Sequence, residues 1–167
     1  ARTISGVGFQ PDWIWWKQRN GTDSHRLADS VRGEGSATFK LIFSEDTSAE
    51  YNGNDNGGSQ GNINDITSDG FSGVQGSSGY NNWNGNSYNY VAWNWKAGTS
   101  FSNDASATGV GDIDSSGSIN TDAGFSIIGY NGNNTSSAGI AHGLGTTPSM
   151  IIQKRRADSV ASWRVWH

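Results

Sequence analysis

The sequence predicts an all-β fold, an antiparallel sandwich or barrel of short strands. Three observations carry that expectation. Short alternating runs bounded by Gly, Ser and Asn clusters recur along the chain, the mark of strands joined by turns. No long segment repeats its apolar residues at the helical period. The chain is only 33% hydrophobic, yet its 167 residues include 8 Trp, 5 Tyr and 6 Phe. Disordered chains lack such groups, and large rings can close a core that is thin in Leu and Val.

The elements follow in order. Residues 12–19 (DWIWWKQR) alternate behind Gly6, Gly8 and Pro11, and the proline sets the entry to the strand. Residues 25–31 (HRLADSV) and 37–44 (ATFKLIFS) read as the next two strands. In 87–97 (SYNYVAWNWKA), Tyr88, Tyr90, Ala92 and Asn94 share one face, and Val91, Trp93 and Trp95 the other. Residues 124–130 (GFSIIGY), 149–155 (SMIIQKR) and 162–167 (SWRVWH) complete the set. Between them lie two long polar stretches, 50–70 and 97–124, and stretches of that length are functional loops or linkers.

The chain also repeats itself. Gly6, Gly8, Pro11, Lys17 and Arg19 match Gly143, Gly145, Pro148, Lys154 and Arg156 at a constant offset of 137 residues. After one inserted residue, His25, Leu27 and Asp29 line up with Trp163, Val165 and His167. A repeat of this length is a β-sandwich module rather than a solenoid coil. The expected organisation is a module at 1–98 lacking its first strand, a Gly/Ser/Asp-rich linker at 99–123, and the opening strands of a second, truncated copy at 124–167. Those strands are expected to complete the first module's sheet, within the chain or by strand exchange in a homo-oligomer.

Composition excludes several classes. A formal charge of -4, with the basic residues scattered apart from 153–157, is not the footprint of a nucleic-acid binder. No window approaches the apolar length of a membrane span, and no cysteine is present for disulfides or thiolate metal sites. The first residues, ARTISG, lack an apolar signal core, so the sequence reads as starting inside a longer protein or without a signal.

Residues 124–167, with the order GFSIIGYNGN, IAHGLGTTPSMIIQKRR and WRVWH, resemble the tandem β-sandwich modules of marine bacteriophage tail-fibre-like virion proteins. GFQPDWIWWKQRN, HRLADSVRG and SYNYVAWNWKAG look like the start and end of a preceding module. The resemblance implies a jelly-roll or concanavalin-like sandwich, a virion or extracellular surface, and recognition of carbohydrate. It carries no catalytic residues.

Candidate chemistry is sparse. Glu45, Asp46 and Glu50 lie at a strand end without the E-x-D-x-x-E spacing of sandwich glycosidases. Residues 23–30 hold Ser24, His25, Asp29 and Ser30 but no nucleophile elbow, and alternation places Ser30 and His25 on opposite faces. His25, His142 and His167 lie too far apart for zinc spacing. Asp112, Asp114 and Ser116, followed by Gly117, open like a calcium loop, but Ala123 stands where the bidentate Glu belongs. Asp55, Asp65 and Asp69 add carboxylates to the calcium reading, against the plainer expectation that Asp in Gly-rich stretches serves as a turn residue.

The aromatics remain. Trp93, Trp95 and one face of residues 13–16 are expected in the core. Trp83, Tyr80, Tyr88 and Tyr90, set among asparagines, are the expected sugar platform, with Trp83 foremost. Trp16 joins them, because its repeat counterpart is the polar Gln153 whereas Trp13 and Trp15 match Met150 and Ile152. The function expected is a non-enzymatic fibre or adhesin module that binds a glycan or neighbouring modules. The alternatives are a ligand-free structural spacer and a fragment of a secreted polysaccharide-active enzyme.

Overall fold

The computed structural model describes residues 2–35, 38–52, 61–76 and 83–167. Its strands are β1 (Arg2–Ser5), β2 (Trp13–Gln18), β3 (Arg26–Asp29), β4 (Ile42–Phe43), β5 (Gly61–Thr67), β6 (Gly70–Gln75), β7 (Tyr90–Trp95), β8 (Thr99–Asn103), β9 (Ser115–Asn120), β10 (Phe125–Tyr130), β11 (Ile151–Gln153) and β12 (Arg164–Trp166). One short helix, α1 (Ala105–Thr108), interrupts them. The all-β expectation holds. The chain forms two compact units: Ala1–Trp95 with Ser149–His167, and Lys96–Pro148.

The first unit is a sandwich. A three-stranded sheet of order β1-β6-β5 and a four-stranded sheet of order β4-β3-β2-β7 enclose one core. Ile14, Trp16 and Ala28 enter from the larger sheet, Ile63 and Phe71 from the smaller, with Phe39, Leu41 and Trp83 between them. The core works by pairing large rings with very small residues. Trp16 lies beside Ala28 and Ala92, and the Trp83 ring lies against Gly73, where a Cβ would meet its Cε2 at 2.0 Å. Trp16 and Trp83 meet edge to face at 6.0 Å, and Phe71 and Trp83 at 5.5 Å. Such pairs add to area burial.

The structure revises the expected organisation. β1 occupies the edge of the smaller sheet, antiparallel to β6. Part of the supposed loop at 50–70 is β5, which forms a hairpin with β6. That strand escaped the apolar pattern because its second residue is a buried Asn62, whose amide donates to Thr38 Oγ1 at 3.0 Å and the Phe39 carbonyl at 2.7 Å. The proposed linker at 99–123 contains β8, α1 and β9, and the strand at 125–130 pairs with β9 rather than with the first unit's sheets.

In the second unit, β8, β9 and β10 form an antiparallel sheet of order β10-β9-β8. Asp104 caps α1 by accepting from the Ala107 N–H at 3.1 Å, and Gly109 closes it in the left-handed conformation, φ 68°. Gly117 lies where the neighbouring strand comes close, since a Cβ there would meet the Ile127 carbonyl oxygen at 1.9 Å.

The internal repeat is visible in the backbone. Gly6 and Gly8 have φ of 84° and 83°, and their counterparts Gly143 and Gly145 have 72° and 73°. The β2–β3 pairing of Ile14 with Ala28, Trp15 with Leu27 and Trp16 with Arg26 recurs in β11–β12 as Ile151 with Trp166, Ile152 with Val165 and Gln153 with Arg164. The extra residue of the second copy is absorbed between the strands.

The first glycine turn is held by Asp69 on the β5–β6 turn. The N–H groups of Gly6 and Gly8 donate to its carboxylate at 2.9 and 2.7 Å, and these bonds hold the Asp69 carboxyl below the usual range. Because the folded value is depressed, the unfolded chain binds the proton more tightly, and the stabilisation is present above the unfolded value, about pH 3.9, and lost as pH falls below it. Asp69→Asn should therefore lower the urea midpoint at neutral pH and lose less on acidification than the parent does. Parallel midpoint-against-pH curves for the two proteins would contradict this role.

Candidate functional site

Four tryptophans line the outer face of the larger sheet. In β2 the even-numbered residues Ile14, Trp16 and Gln18 are buried, which turns Trp13, Trp15 and Lys17 outward. Antiparallel register then sets Trp13 opposite Trp95 and Trp15 opposite Trp93. The rings run in continuous contact: Trp95 to Trp13 at 4.7 Å, Trp13 to Trp15 at 6.3 Å, Trp15 to Trp93 at 5.8 Å. Trp93 is 44% exposed, and the other three are half-buried.

One edge of this ridge is fixed by a polar contact. The Trp15 indole N–H donates to His25 Nδ1 at 2.9 Å, and the two rings meet edge to face at 5.6 Å. That bond holds the Trp15 ring in one orientation. Lys17 is also committed, its ammonium donating to the carbonyls of Gln18 at 2.6 Å and Gly21 at 3.1 Å.

The sequence assigned these faces the wrong way round. Trp93 and Trp95 are on the surface, while Trp16, expected to contact a ligand, is 2% exposed and Trp83, the expected platform, 8%. The cause is volume. Core space above Ala28, Ala92 and Gly73 is filled by the Trp16 and Trp83 rings, so the tryptophans of the opposite parity are left outside. Tyr80 lies outside the described residues. Tyr88 is exposed, and Tyr90 turns to the core side, where its oxygen accepts from the Gly85 N–H at 2.9 Å and burial raises its phenol above the usual value.

The other candidates are dispersed. Asp112 accepts from the Gly139 N–H at 2.6 Å and Asp114 from the Ala105 N–H at 2.9 Å, while Ser116 lies on β9 between its two partner strands. These carboxylates satisfy backbone donors, and no group of three His, Asp or Glu is gathered for a metal among the described residues. His25, Asp29 and Ser30 make no triad: His25 accepts from Trp15, Asp29 pairs with Arg32, and the Ser30 hydroxyl donates to Asp12 at 2.8 Å.

Glu45 and Asp46 line a shallow cleft of about 240 Å³ with Ser44, Thr47, Ser162 and Trp163. Asp46 is occupied there by the Ser48 N–H and hydroxyl at 2.8 and 3.0 Å. Glu50 pairs with Arg32 at 3.4 Å and Arg156 at 3.1 Å. The tryptophan ridge is a preorganised apolar surface with a polar group fixed at its edge.

The family model described as "Domain of unknown function (DUF7483)" matches residues 1–167. The chain belongs to that family. No curated protein and no solved structure matches it.

Proposed function

We propose that this member of the family is a non-enzymatic module of a virion fibre or similar adhesin, located on the virion or extracellular surface, that binds cell-surface carbohydrate on the ridge formed by Trp13, Trp15, Trp93 and Trp95. The observation that carries the reading is the outward run of four contacting indoles on a rigid sheet. Pyranose rings present one face of C–H groups that packs against an indole, and a row of rings at strand spacing suits successive sugars of an extended glycan. A ligand site on rigid strands also loses little entropy on binding. The reading uses no cofactor, and neighbouring modules of the same fibre are its further partners.

A glycan array separates this reading from that of a ligand-free spacer. The parent chain should give a sugar signal that falls about tenfold or more in Trp93→Ala and in Trp15→Ala, as aromatic anchors at interfaces do. Trp166→Ala, which removes an exposed tryptophan elsewhere, should leave the signal unchanged. A silent array with folded parent protein favours the spacer, and turnover of a polysaccharide would replace both readings with an enzyme.

A further inference from the structure

We infer that the glycan taken by the ridge is acidic, a polysaccharide bearing carboxylate or sulfate groups, and that Lys17 and Arg19 select it. The inference rests on the carbohydrate reading of the ridge and names its substrate class. β2 sets every second residue on the outer face, so Trp13 and Trp15 are followed in the same row by Lys17. The register runs on past Gln18, since the Arg19 N–H donates to the Asn89 carbonyl at 2.7 Å, and Arg19 takes the next position of that row. Along one strand a ligand therefore meets two indoles and then two cations, in steps of about 6.7 Å.

Both cations keep capacity for a ligand. The carbonyls of Gln18 and Gly21 hold the Lys17 ammonium in place, but these acceptors are neutral and leave its charge and its third N–H unspent. Arg19 is exposed. Neither side chain meets a carboxylate among the described residues, whereas Arg32 pairs with Asp29 and Glu50, and Arg155 with Asp158. The two positions that match them in the repeat are used differently. Arg156, in the place of Arg19, pairs with Glu50, and Lys154, in the place of Lys17, donates to the carbonyls of Thr47, Arg155 and Ala161.

The rest of this face agrees in sign. His25 accepts the Trp15 indole N–H at Nδ1, so the imidazole carries its proton on Nε2, a further donor beside the cations. Asp29, opposite Trp13, is paired with Arg32, so its charge is already matched. Asp23 acts on Arg26 and Tyr90, whose register positions opposite Trp16 and Gln18 belong to the other face of the sheet. Indole faces carry the negative part of the ring quadrupole, so an anionic group does not settle on Trp13 or Trp15. A sugar stacked there places its acid group beyond the rings, where the ammonium supplies a point charge and the guanidinium a fork that matches paired oxygens.

The test is an array of neutral glycans, polygalacturonate, its carboxyl-reduced form, a sulfated galactan and its desulfated form, probed with the full chain. At low salt the parent should bind an acidic polymer about fivefold or more tighter than its uncharged counterpart, the gain that two exposed ion pairs supply, and added salt should narrow the gap. Whichever pair shows the preference assigns the group as carboxylate or sulfate. Lys17→Gln combined with Arg19→Gln should lose the preference yet bind the uncharged polymers as the parent does, and Trp93→Ala should weaken binding to both. Equal affinity for charged and uncharged polymers, with a signal that Trp93→Ala removes, leaves the ridge reading standing and overturns the acidic substrate. A preference that survives in the double variant, or acidic binding that Trp93→Ala and Trp15→Ala leave unaltered, overturns it as well. Silence across the array from folded parent protein overturns the ridge reading itself.

Discussion

Trp16→Ala is expected to lower the unfolding free energy by about 3–5 kcal/mol, the range for emptying a buried large aromatic site. Trp16 is the ring at which both sheets meet: it contacts Trp83 edge to face and stands beside Ala28 and Ala92. None of these neighbours can move in to refill the space, because the small residues have no reach and Trp83 is itself held against Gly73. Trp16→Phe should retain more than half of the lost stability, since the indole N–H of Trp16 has no hydrogen-bond acceptor among the described residues. Trp93→Ala, removing a ring that is 44% exposed, should cost less than about 1 kcal/mol. Chemical denaturation of the three variants reads this directly. Equal losses at Trp16 and Trp93 would mean that the core and outer faces of the larger sheet have been exchanged.

Arg32→Met is the second large effect, again about 3–5 kcal/mol, because it strands a buried charge. The side chains of Arg32 and Asp29 are 8% and 7% exposed, and the Arg32 Nε pairs with Asp29 while the Arg32 backbone N–H donates to the other carboxylate oxygen at 2.7 Å. The rest of the guanidinium donates to the Leu27 carbonyl at 2.9 Å and the Lys40 carbonyl at 3.3 Å. Methionine fills the volume but leaves the second Asp29 oxygen and the Leu27 and Lys40 carbonyls facing an apolar side chain. Glu50 keeps its second partner, Arg156, so the loss concentrates on Asp29. Adding Asp29→Asn should therefore restore a substantial part of the stability. A loss below about 1 kcal/mol, as for surface ion pairs, would show that Arg32 acts as an exposed residue.

Much of the first unit was legible in the sequence because its strands alternate large and small groups. Residues 12–19, 25–31 and 87–97 contain β2, β3 and β7, and even the two faces of β7 were separated correctly. Alternation defines the faces but does not say which one is buried. That depends on what the opposite sheet presents, and Gly73, Ala28 and Ala92 decide it by leaving room for Trp16 and Trp83. Hydrophobicity alone would bury every tryptophan.

Other elements were hidden for a different reason. β5, β8 and β9 are built from Asn, Ser, Thr and Gly, and polar side chains can be interior when their bonds are met inside. Asn62 does this with Thr38 and Phe39, and Ser115 with the Ala141 carbonyl at 2.9 Å. The repeat was visible because its glycines, proline and basic residues coincide, and the glycines keep their positive φ at Gly6, Gly8, Gly143 and Gly145.

The division of the chain also governs how it can fold. The first unit is discontinuous, Ala1–Trp95 and Ser149–His167, with the whole of Lys96–Pro148 inserted between its parts. The inserted unit is a meander in which β9 pairs with β8 before it and β10 after it, so its loops are short to close. Contacts such as Glu50 with Arg156 and the Trp163 indole with the Phe43 carbonyl at 2.8 Å instead close loops of more than a hundred residues. Loop-closure entropy places the local meander early and these long-range contacts late. On a ribosome, the sandwich would hold its first seven strands while the insert emerged and folded, and would receive its last hairpin only as the closing step.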